Sequence, residues 1–217
     1  MENTKPTQPQ TEPQAEDILE KARANKKRLV TLGIFLAAAV VVAIVWIFVA
    51  QHGSRKADEL VAKADLEQND SIATTLYAKA AEAGYKSGNR AKAEMGIRLY
   101  KEGKYEEALK YLGDASLGDE IAAAGVYALQ GDCYVNLDQN DKALSCFDDA
   151  IDAADENPQI VPLILIKKAN IYRAQGKFAE EAKAYKEIID EYPQYVRMSQ
   201  TDIRKYYERA QAAASAK

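Results

Sequence analysis

The sequence predicts an all-α protein in which a single N-terminal transmembrane helix precedes a solenoid of helical hairpins closed by a C-terminal capping helix. Three observations predict this class. An uncharged apolar run lies near the N-terminus, and related helical segments recur after it at a spacing of about thirty-five residues. Glycine and proline are few, at 11 and 6 of 217 residues. Such a composition favours helices, and recurrence at this period is typical of stacked repeats.

The uncharged run extends from Leu29 to Ala50. Its 22 residues would reach about 33 Å as a helix, which is enough to cross a hydrocarbon core of about 30 Å. Because lipid offers no partners to backbone amides, a helix is the only single segment that can cross it. A buried helix of a soluble protein is usually shorter and keeps a polar stripe. The sequence therefore predicts a transmembrane helix over residues 29–50, within a segment 15–53 that starts as a basic juxtamembrane helix.

The flanks of this run predict its orientation. Residues 1–14 contain three prolines among polar residues and show no apolar periodicity, so they are expected to form a disordered cytoplasmic tail. Five basic residues lie directly before the run: Lys21, Arg23, Lys26, Lys27 and Arg28. Three basic residues follow it and are mixed with acidic ones: Arg55, Lys56 and Lys63. By the positive-inside rule, we expect the N-terminus to stay in the cytoplasm and the C-terminal domain to be exported.

A cleaved signal peptide is the main alternative to a permanent anchor. Its apolar core would be about 7–15 residues long and would end in small residues at fixed positions before the cleavage site. Cleavage at the end of this run would place Phe48 at one of those positions, and no cysteine follows directly that could accept a lipid. The run is therefore interpreted as an uncleaved signal anchor. Gly33 with Ala37, and Ala39 with Ala43, have the spacing that permits close helix contact, so self-association through this helix stays open.

Composition and motifs argue against several functional classes. The 29 Lys and Arg residues against 33 Asp and Glu residues give a net charge of −4, unlike the basic footprint of a nucleic-acid-binding protein. The single histidine, His52, and the two cysteines, Cys133 and Cys146, lack the spacing of a zinc site. Without a nucleotide-binding or catalytic motif, no enzyme activity, cofactor, metal or small-molecule substrate is predicted. The cysteines are interpreted either as a disulfide or as two small buried residues.

The repeats are predicted over residues 54–195, as four units at about 54–87, 89–122, 124–158 and 162–195. In the clearest unit, AKAEMGIRLYKEGKYEEALKYLGDA, small residues let two antiparallel helices approach, and large residues fill the gap to the next unit. A glycine between the two helices supplies a left-handed turn. The packing positions assigned in this unit are Gly96, Gly103, Tyr105, Ala108, Leu112 and Ala115.

The other units repeat this pattern in phase, except that the first unit is degraded, since its first helix, at roughly residues 54–64, matches the pattern poorly. Shifts of thirty-five residues, and of thirty-eight for the last unit, align further small and aromatic packing positions: Ala73, Tyr77 and Ala80; Gly131, Tyr134, Ala143, Phe147 and Ala150; and Ala169, Tyr172, Gly176, Phe178, Tyr185 and Pro193. There are three departures. Asp138 replaces the turn glycine, and Glu181 stands at an alanine position beside Ala182, where a shifted helix crossing is expected. Extra residues form a loop that Pro158 and Pro162 bracket.

The segment 196–217 follows the last repeat and is predicted to form a capping helix with a frayed end. Ile203, Tyr206, Tyr207 and Ala210 recur at i, i+3, i+4 and i+7, which places them on one apolar stripe. A solenoid needs such a cap because its terminal unit would otherwise expose an apolar face. We expect this stripe to cover the last repeat.

The repeated pattern resembles the tetratricopeptide repeat. Its positions follow in the order small residue, aromatic, turn glycine, aromatic, alanine, aromatic, alanine and terminal proline. This resemblance implies an inner wall of first-helix residues that binds a peptide or a helix of a partner protein. The residues so placed are Ile97, Tyr100, Lys101, Asp132, Val135, Asn136, Ile166, Asn170 and Arg173. They mix apolar and polar groups but lack the repeated Lys/Asn arrangement that holds a C-terminal carboxylate in chaperone-binding members of this class.

The layout as a whole is similar to the bacterial YfgM-like group, whose members are ancillary subunits of the SecYEG translocon. That resemblance implies a non-enzymatic adaptor in the inner membrane with its repeat domain in the periplasm. Its partners would be the lipid bilayer, the translocon and periplasmic chaperones. The same domain family includes coordinators of cell division, so a scaffold for division or for outer-membrane biogenesis is the alternative function. An adaptor of inverted, cytoplasmic orientation also stays open.

Overall fold

The computed structural model describes residues 12–83 and 86–216, apart from the side chains of residues 12–24, 27, 29, 50–54 and 86. Residues 1–11, most of the tail predicted to be disordered, lie outside the described residues. The first helix, α1, begins within that predicted tail and spans Glu12–Leu66. The chain divides into two compact units, one up to His52 and one from Gly53 onward.

The first unit carries the apolar part of α1. This part, Val30–Val49, comprises 20 residues with a mean hydropathy of 3.0, and none of its side chains is buried by the rest of the chain. Large residues along it are widely exposed, among them Phe35 at 73% and Trp46 at 71%. By length and composition this helix could cross a membrane, and a secretion signal near an N-terminus has the same properties.

The second unit is a series of helices most of which pack against the next helix along the chain, and every regular element in its described ranges is an α-helix. The last turns of α1 pack into it through Val61 and Ala64, which are buried with Tyr77 and Met95. The helices that follow are α2 (Asp70–Ala81), α3 (Lys86–Lys101), α4 (Tyr105–Gly113), α5 (Glu120–Asn136), α6 (Asn140–Ala153), α7 (Val161–Ala174), α8 (Phe178–Glu191), α9 (Pro193–Met198) and α10 (Ile203–Ser215).

The turn inside each of three hairpins has a left-handed backbone at the same repeat position. Gly103 has a φ of 76° and Gly176 a φ of 67°, and Asp138, in place of the glycine, has a φ of 57°. Glycine adopts such angles without steric cost, whereas a residue with a Cβ is disfavoured there by about 1–2 kcal/mol. The aspartate therefore preserves the turn at some cost in stability.

Glycines at two helix crossings leave room for a large side chain from the paired helix. A Cβ added to Gly96 in α3 would lie 2.5 Å from Leu112 Cδ2 in α4. A Cβ added to Gly131 in α5 would lie 2.7 Å from Phe147 Cδ1 in α6. Leu112 and Phe147 are both buried, so neither can move aside into solvent. The close approach of these paired helices requires a residue without a Cβ.

Glu181 is a buried carboxylate at the crossing position of α8. Arg209 Nη2 in α10 donates a hydrogen bond of 2.6 Å to its Oε1. The ring of Tyr206, also in α10, stacks on Tyr185 of α8 with centroids 5.8 Å apart. A buried charge without a partner is strongly destabilising. The carboxylate at this alanine position is accommodated because α10 supplies a cation. The stripe residue Ile203 is buried in the same core, so α10 covers the end of the last hairpin.

The residues predicted to pack the repeats differ in their exposure. Ala73, Tyr77, Ala80, Gly96, Ala108, Leu112, Gly131, Ala143, Phe147, Ala150, Ala169 and Tyr185 are buried; Tyr105, Ala115, Tyr134, Tyr172, Gly176 and Phe178 are half-buried; and Gly103 and Pro193 are exposed. The two exposed residues lie in a turn and at the start of α9, where backbone geometry rather than burial favours glycine and proline.

Three local features differ from the sequence-based expectation. Ala115 lies beyond the end of α4 at Gly113, so it packs against the core from the loop rather than from the helix. Pro162 lies in the first turn of α7, a position that suits a residue without an N–H, so the loop after α6 ends before it. The short helix α9 was not expected, and α10 extends to Ser215 where a frayed end was predicted.

Candidate functional site

A groove with a volume of about 830 Å³ lies between α3 and α5 of the second unit. We call it the α3–α5 groove. One wall comes from α3, the other from the start of α5, and the floor and one end come from α4 and the loop after it. The lining residues are Ser87, Arg90, Ala93, Glu94 and Ile97; Asp119, Ala122, Gly125, Val126 and Leu129; and Leu112, Ser116, Leu117 and Gly118.

The two walls are built from equivalent positions of neighbouring repeats. Ser87, Arg90, Glu94 and Ile97 recur at three- and four-residue steps, which puts them on one face of α3. Adding thirty-five to the first three numbers gives Ala122, Gly125 and Leu129 of the opposite wall. The groove is therefore a direct product of the repeat, since stacking the units sets the same helical face of each side by side.

Hydrogen bonds hold the loop that closes the groove. Asn89 Nδ2 in α3 donates to the carbonyl oxygen of Ser116 at 2.9 Å, and Lys92 Nζ donates to that of Asp114 at 3.2 Å. Asp119 then caps α5, because its Oδ1 accepts a hydrogen bond of 2.9 Å from the backbone N–H of Ala122. These bonds satisfy polar groups at the end of the groove and fix its shape.

Acidic residues near the end of α1 bind two side chains of the α3 wall. Arg90 Nη2 lies 2.9 Å from Asp65 Oδ2, and Ser87 donates a hydrogen bond to Asp58. Tyr77 donates a hydrogen bond of 2.5 Å to the other oxygen of Asp65. This hydrogen bond, together with the Arg90 guanidinium, holds the pKa of Asp65 below its ordinary value against the opposing effect of burial. Arg90 is thus already neutralised within the chain.

A second, smaller groove of about 260 Å³ lies between α5 and α7. Its lining includes Asp132 and Val135 of α5, and Lys167 and Asn170 of α7. Lys167 Nζ bridges the two helices, at 2.7 and 2.8 Å from the two carboxylate oxygens of Asp132. The charge of Asp132 is therefore used to join adjacent repeats.

The residues predicted to bind a partner are divided among several environments. Ile97 lines the α3–α5 groove, and Asp132, Val135 and Asn170 line the smaller one. Lys101 and Arg173 are exposed, Asn136 donates a hydrogen bond to its own helix at the Asp132 carbonyl oxygen, and Ile166 packs against the core under α7. Tyr100 packs against Tyr105, with ring centroids 5.5 Å apart, and its pKa is raised by burial and then by the Asp132 charge. The structure does not gather these nine residues into one site.

The sequence predicts little of the larger groove, because the predicted residues of α3 and α5 all lie in the C-terminal halves of those helices. The prediction includes Ile97 but not Glu94 and Arg90, which lie one and two turns before it. The three- and four-residue periodicity continues through those positions and could have identified them. Gly125 had no such signal, because a glycine on a helical face contributes nothing to apolar periodicity.

The two thiols are free and buried on α5 and α6. Burial raises the pKa of Cys133 to about 11, with a further contribution from the Asp132 charge. Burial also raises the pKa of Cys146. Because the thiolate is the reactive form, both side chains are poor nucleophiles near neutral pH. Within the described ranges, no group of three or more His, Cys, Asp and Glu side chains is placed to hold a metal ion.

These features define a helical-repeat protein. Its hairpins stack, their turns are left-handed, glycines lie where paired helices cross, and a groove runs between successive first helices. Comparison with known families identifies the repeat: the tetratricopeptide repeat family matches residues 93–158 and 128–196. The chain thus contains tetratricopeptide repeats, in the region that forms most of α3 to α8 and includes much of the groove. No curated protein matches the chain.

Proposed function

We propose that this chain is a membrane-anchored, non-enzymatic adaptor that holds a segment of another protein in the α3–α5 groove. The observation that carries the proposal is the groove itself, a cavity of about 830 Å³ whose walls are equivalent faces of adjacent tetratricopeptide repeats. Proteins built from this repeat are generally protein-interaction modules. A peptide or an amphipathic helix laid into an apolar groove is a common mode of recognition.

The chemistry of the groove supports a protein segment as its occupant. Ile97 and Leu129 are half-buried and offer apolar surface above the buried Leu112 and Val126, and Gly125 leaves backbone exposed beside them. Polar side chains are fewer than the other lining residues, and both walls contribute them. Burial of apolar side chains would supply most of the affinity, while the polar groups would fix the register of the bound segment.

The apolar helix Val30–Val49 supports anchoring, because its 20 residues suffice to cross a bilayer and its side chains are exposed. The basic residues before it favour a cytoplasmic N-terminus and an exported repeat domain. Tethering would raise the effective concentration of the groove near membrane partners to about millimolar, which suits weak, reversible binding. The proposed partners are those that the resemblance to the YfgM-like group implies, namely the SecYEG translocon and periplasmic chaperones.

A photocrosslinking amino acid at Ile97 in the full chain, activated in native membranes, tests the groove. We expect crosslinks to a discrete partner, and we expect the additional substitution Gly125→Leu to abolish them, because it fills the groove from the opposite wall. The same crosslinker at Glu106, exposed on α4 outside the groove, is the control. Crosslinks at Ile97 that persist unchanged in Gly125→Leu would contradict binding in this groove.

The finer assignment has its own test. Mass spectrometry of the Ile97 crosslinks should recover a translocon or periplasmic chaperone subunit, and protease added to spheroplasts should degrade the C-terminal domain. If the domain is protected until the membrane is opened, the orientation is inverted. If the crosslinks recover components of the division or outer-membrane assembly machinery instead, the adaptor serves a different envelope complex.

A further inference from the structure

We propose that the α3–α5 groove selects an apolar protein segment flanked by basic residues. This inference rests on the proposed function and adds the chemistry of the partner. It follows from the charged side chains of the groove, Arg90, Glu94 and Asp119. Their local partners decide which charges remain available to a bound segment.

The only cation among these lining residues is already paired. Arg90 lies 2.9 Å from Asp65, so its charge is compensated from outside the groove. In the described part of the chain, no ion pair joins Glu94 or Asp119 to a Lys or an Arg. The hydrogen bond that Asp119 accepts from the Ala122 N–H caps a helix but adds no cation. The groove therefore combines apolar lining residues with two carboxylates that have no ion-pair partner among the described residues.

The repeat phase separates the two carboxylates along the groove. Asp119 stands at the start of the α5 wall, whereas Glu94 of α3 is equivalent in phase to Leu129, since 94 plus 35 is 129. From residue 119 to residue 129 is ten residues, or about 15 Å along a helix axis at 1.5 Å per residue. A partner with two basic residues about 15 Å apart along the groove, and apolar residues between them, would pair with both carboxylates at once.

The middle of the groove suits such a segment. A Cβ added to Gly125 would meet no atom within 4 Å, so the α5 wall is open at this position between the levels of the two carboxylates. Glycine at such positions permits the close approach of another chain. The segment would lie against this wall with its apolar side chains directed at Ile97 of the opposite α3 wall and at the floor of the groove around Leu112.

Selection from a random twelve-residue peptide display library on the full chain in detergent micelles tests the inference. We expect the selected peptides to be apolar in the middle and enriched in Lys or Arg towards both ends. A fluorescent copy of the best peptide should bind about two- to fivefold more weakly to Glu94→Gln and to Asp119→Asn, the range expected for one exposed charge pair. Asparagine caps a helix as well as aspartate does, so the second variant keeps α5 intact.

The controls separate failure of this inference from failure of the proposed function. Glu106→Gln removes one exposed charge outside the groove and should leave binding unchanged. If the selected peptides lack basic flanks, or bind the two groove variants as tightly as wild type, while Gly125→Leu abolishes binding, the groove binds peptides but the charge inference is wrong. If binding survives Gly125→Leu, or if no peptide is selected, the groove is not a peptide site and both proposals fail.

Discussion

Two glycines on the same helix provide a direct test of how the hairpins are closed. Gly125 and Gly131 both lie in the interior of α5, so replacement by alanine changes helix propensity equally at the two sites. Their surroundings differ: a Cβ at Gly125 would meet nothing within 4 Å, whereas a Cβ at Gly131 would lie 2.7 Å from Phe147 Cδ1 and 2.9 Å from its Cζ. Any difference between the two variants therefore reports the contact with Phe147.

The two replacements are expected to differ in their effect on stability. Alanine is favoured over glycine in a helix interior by about 1 kcal/mol, so Gly125→Ala should stabilise the protein by about that amount. At Gly131 the same gain is set against overpacking, which costs about 1–3 kcal/mol when a buried neighbour cannot move. Phe147 has 0% exposure and little freedom to yield. Gly131→Ala should therefore be less stable than Gly125→Ala by about 1–3 kcal/mol.

Urea unfolding of the full chain in detergent micelles, followed by far-ultraviolet circular dichroism, measures both variants. Combining each with Phe147→Leu completes the test, because a smaller side chain should relieve the strain at Gly131 and do nothing for Gly125. We expect a favourable coupling energy of about 0.5–3 kcal/mol between Gly131→Ala and Phe147→Leu. Equal stabilities of the two alanine variants, or zero coupling, would refute the view that the glycine–phenylalanine contact closes this hairpin.

Three further predictions concern charges and the turn. Arg209→Ala leaves the buried Glu181 carboxylate without its cation and should cost about 3 kcal/mol, much of which the double replacement of both residues by alanine should recover. A double variant no more stable than the single one in urea would argue against the pair. Asp138→Gly relieves a φ of 57° and should raise the urea midpoint by the equivalent of about 1 kcal/mol; a lower midpoint would show that the aspartate stabilises the turn. Tyr77→Phe removes the hydrogen bond that lowers the pKa of Asp65. A lowered folded-state pKa stabilises the fold above about pH 4, and this contribution is lost as the pH falls through that pKa. The stability difference between wild type and Tyr77→Phe in urea should thus be full at pH 6 and shrink towards pH 3, and a difference that does not vary with pH would contradict this assignment.

The elements that the sequence predicted are those whose cause is local or periodic. The turn glycines Gly103 and Gly176 were predicted from their phase, whereas Asp138 was a departure from the pattern that nevertheless keeps the left-handed backbone. The apolar helix near the N-terminus followed from length and charge alone. The tetratricopeptide repeat was recognised because small and aromatic residues recur in phase, and the family comparison confirms it over residues 93–196.

The side-chain pairs that define the site could not be predicted, because each joins residues that no local pattern connects. Asp132 was expected to face a partner, yet it is held by Lys167, thirty-five residues further along the chain. Glu181 was expected to disturb its helix crossing, yet Arg209 neutralises it from α10. Such pairs depend on which helical faces meet after stacking, and periodicity identifies a face without identifying its neighbour.

The larger groove also depends on a segment that the repeat pattern describes poorly. The last turns of α1 match the repeat weakly, yet they carry Asp58 and Asp65, which bind Ser87 and Arg90 of the α3 wall. Without Asp65, Arg90 would be an uncompensated cation inside the groove, and the groove would carry charges of both signs instead of two free carboxylates. The degraded first unit is thus required for the electrostatic character of the site. The first unit matches the repeat weakly because some of its residues pair with α3. A position that provides a carboxylate to α3 cannot also hold a small or aromatic residue of the repeat.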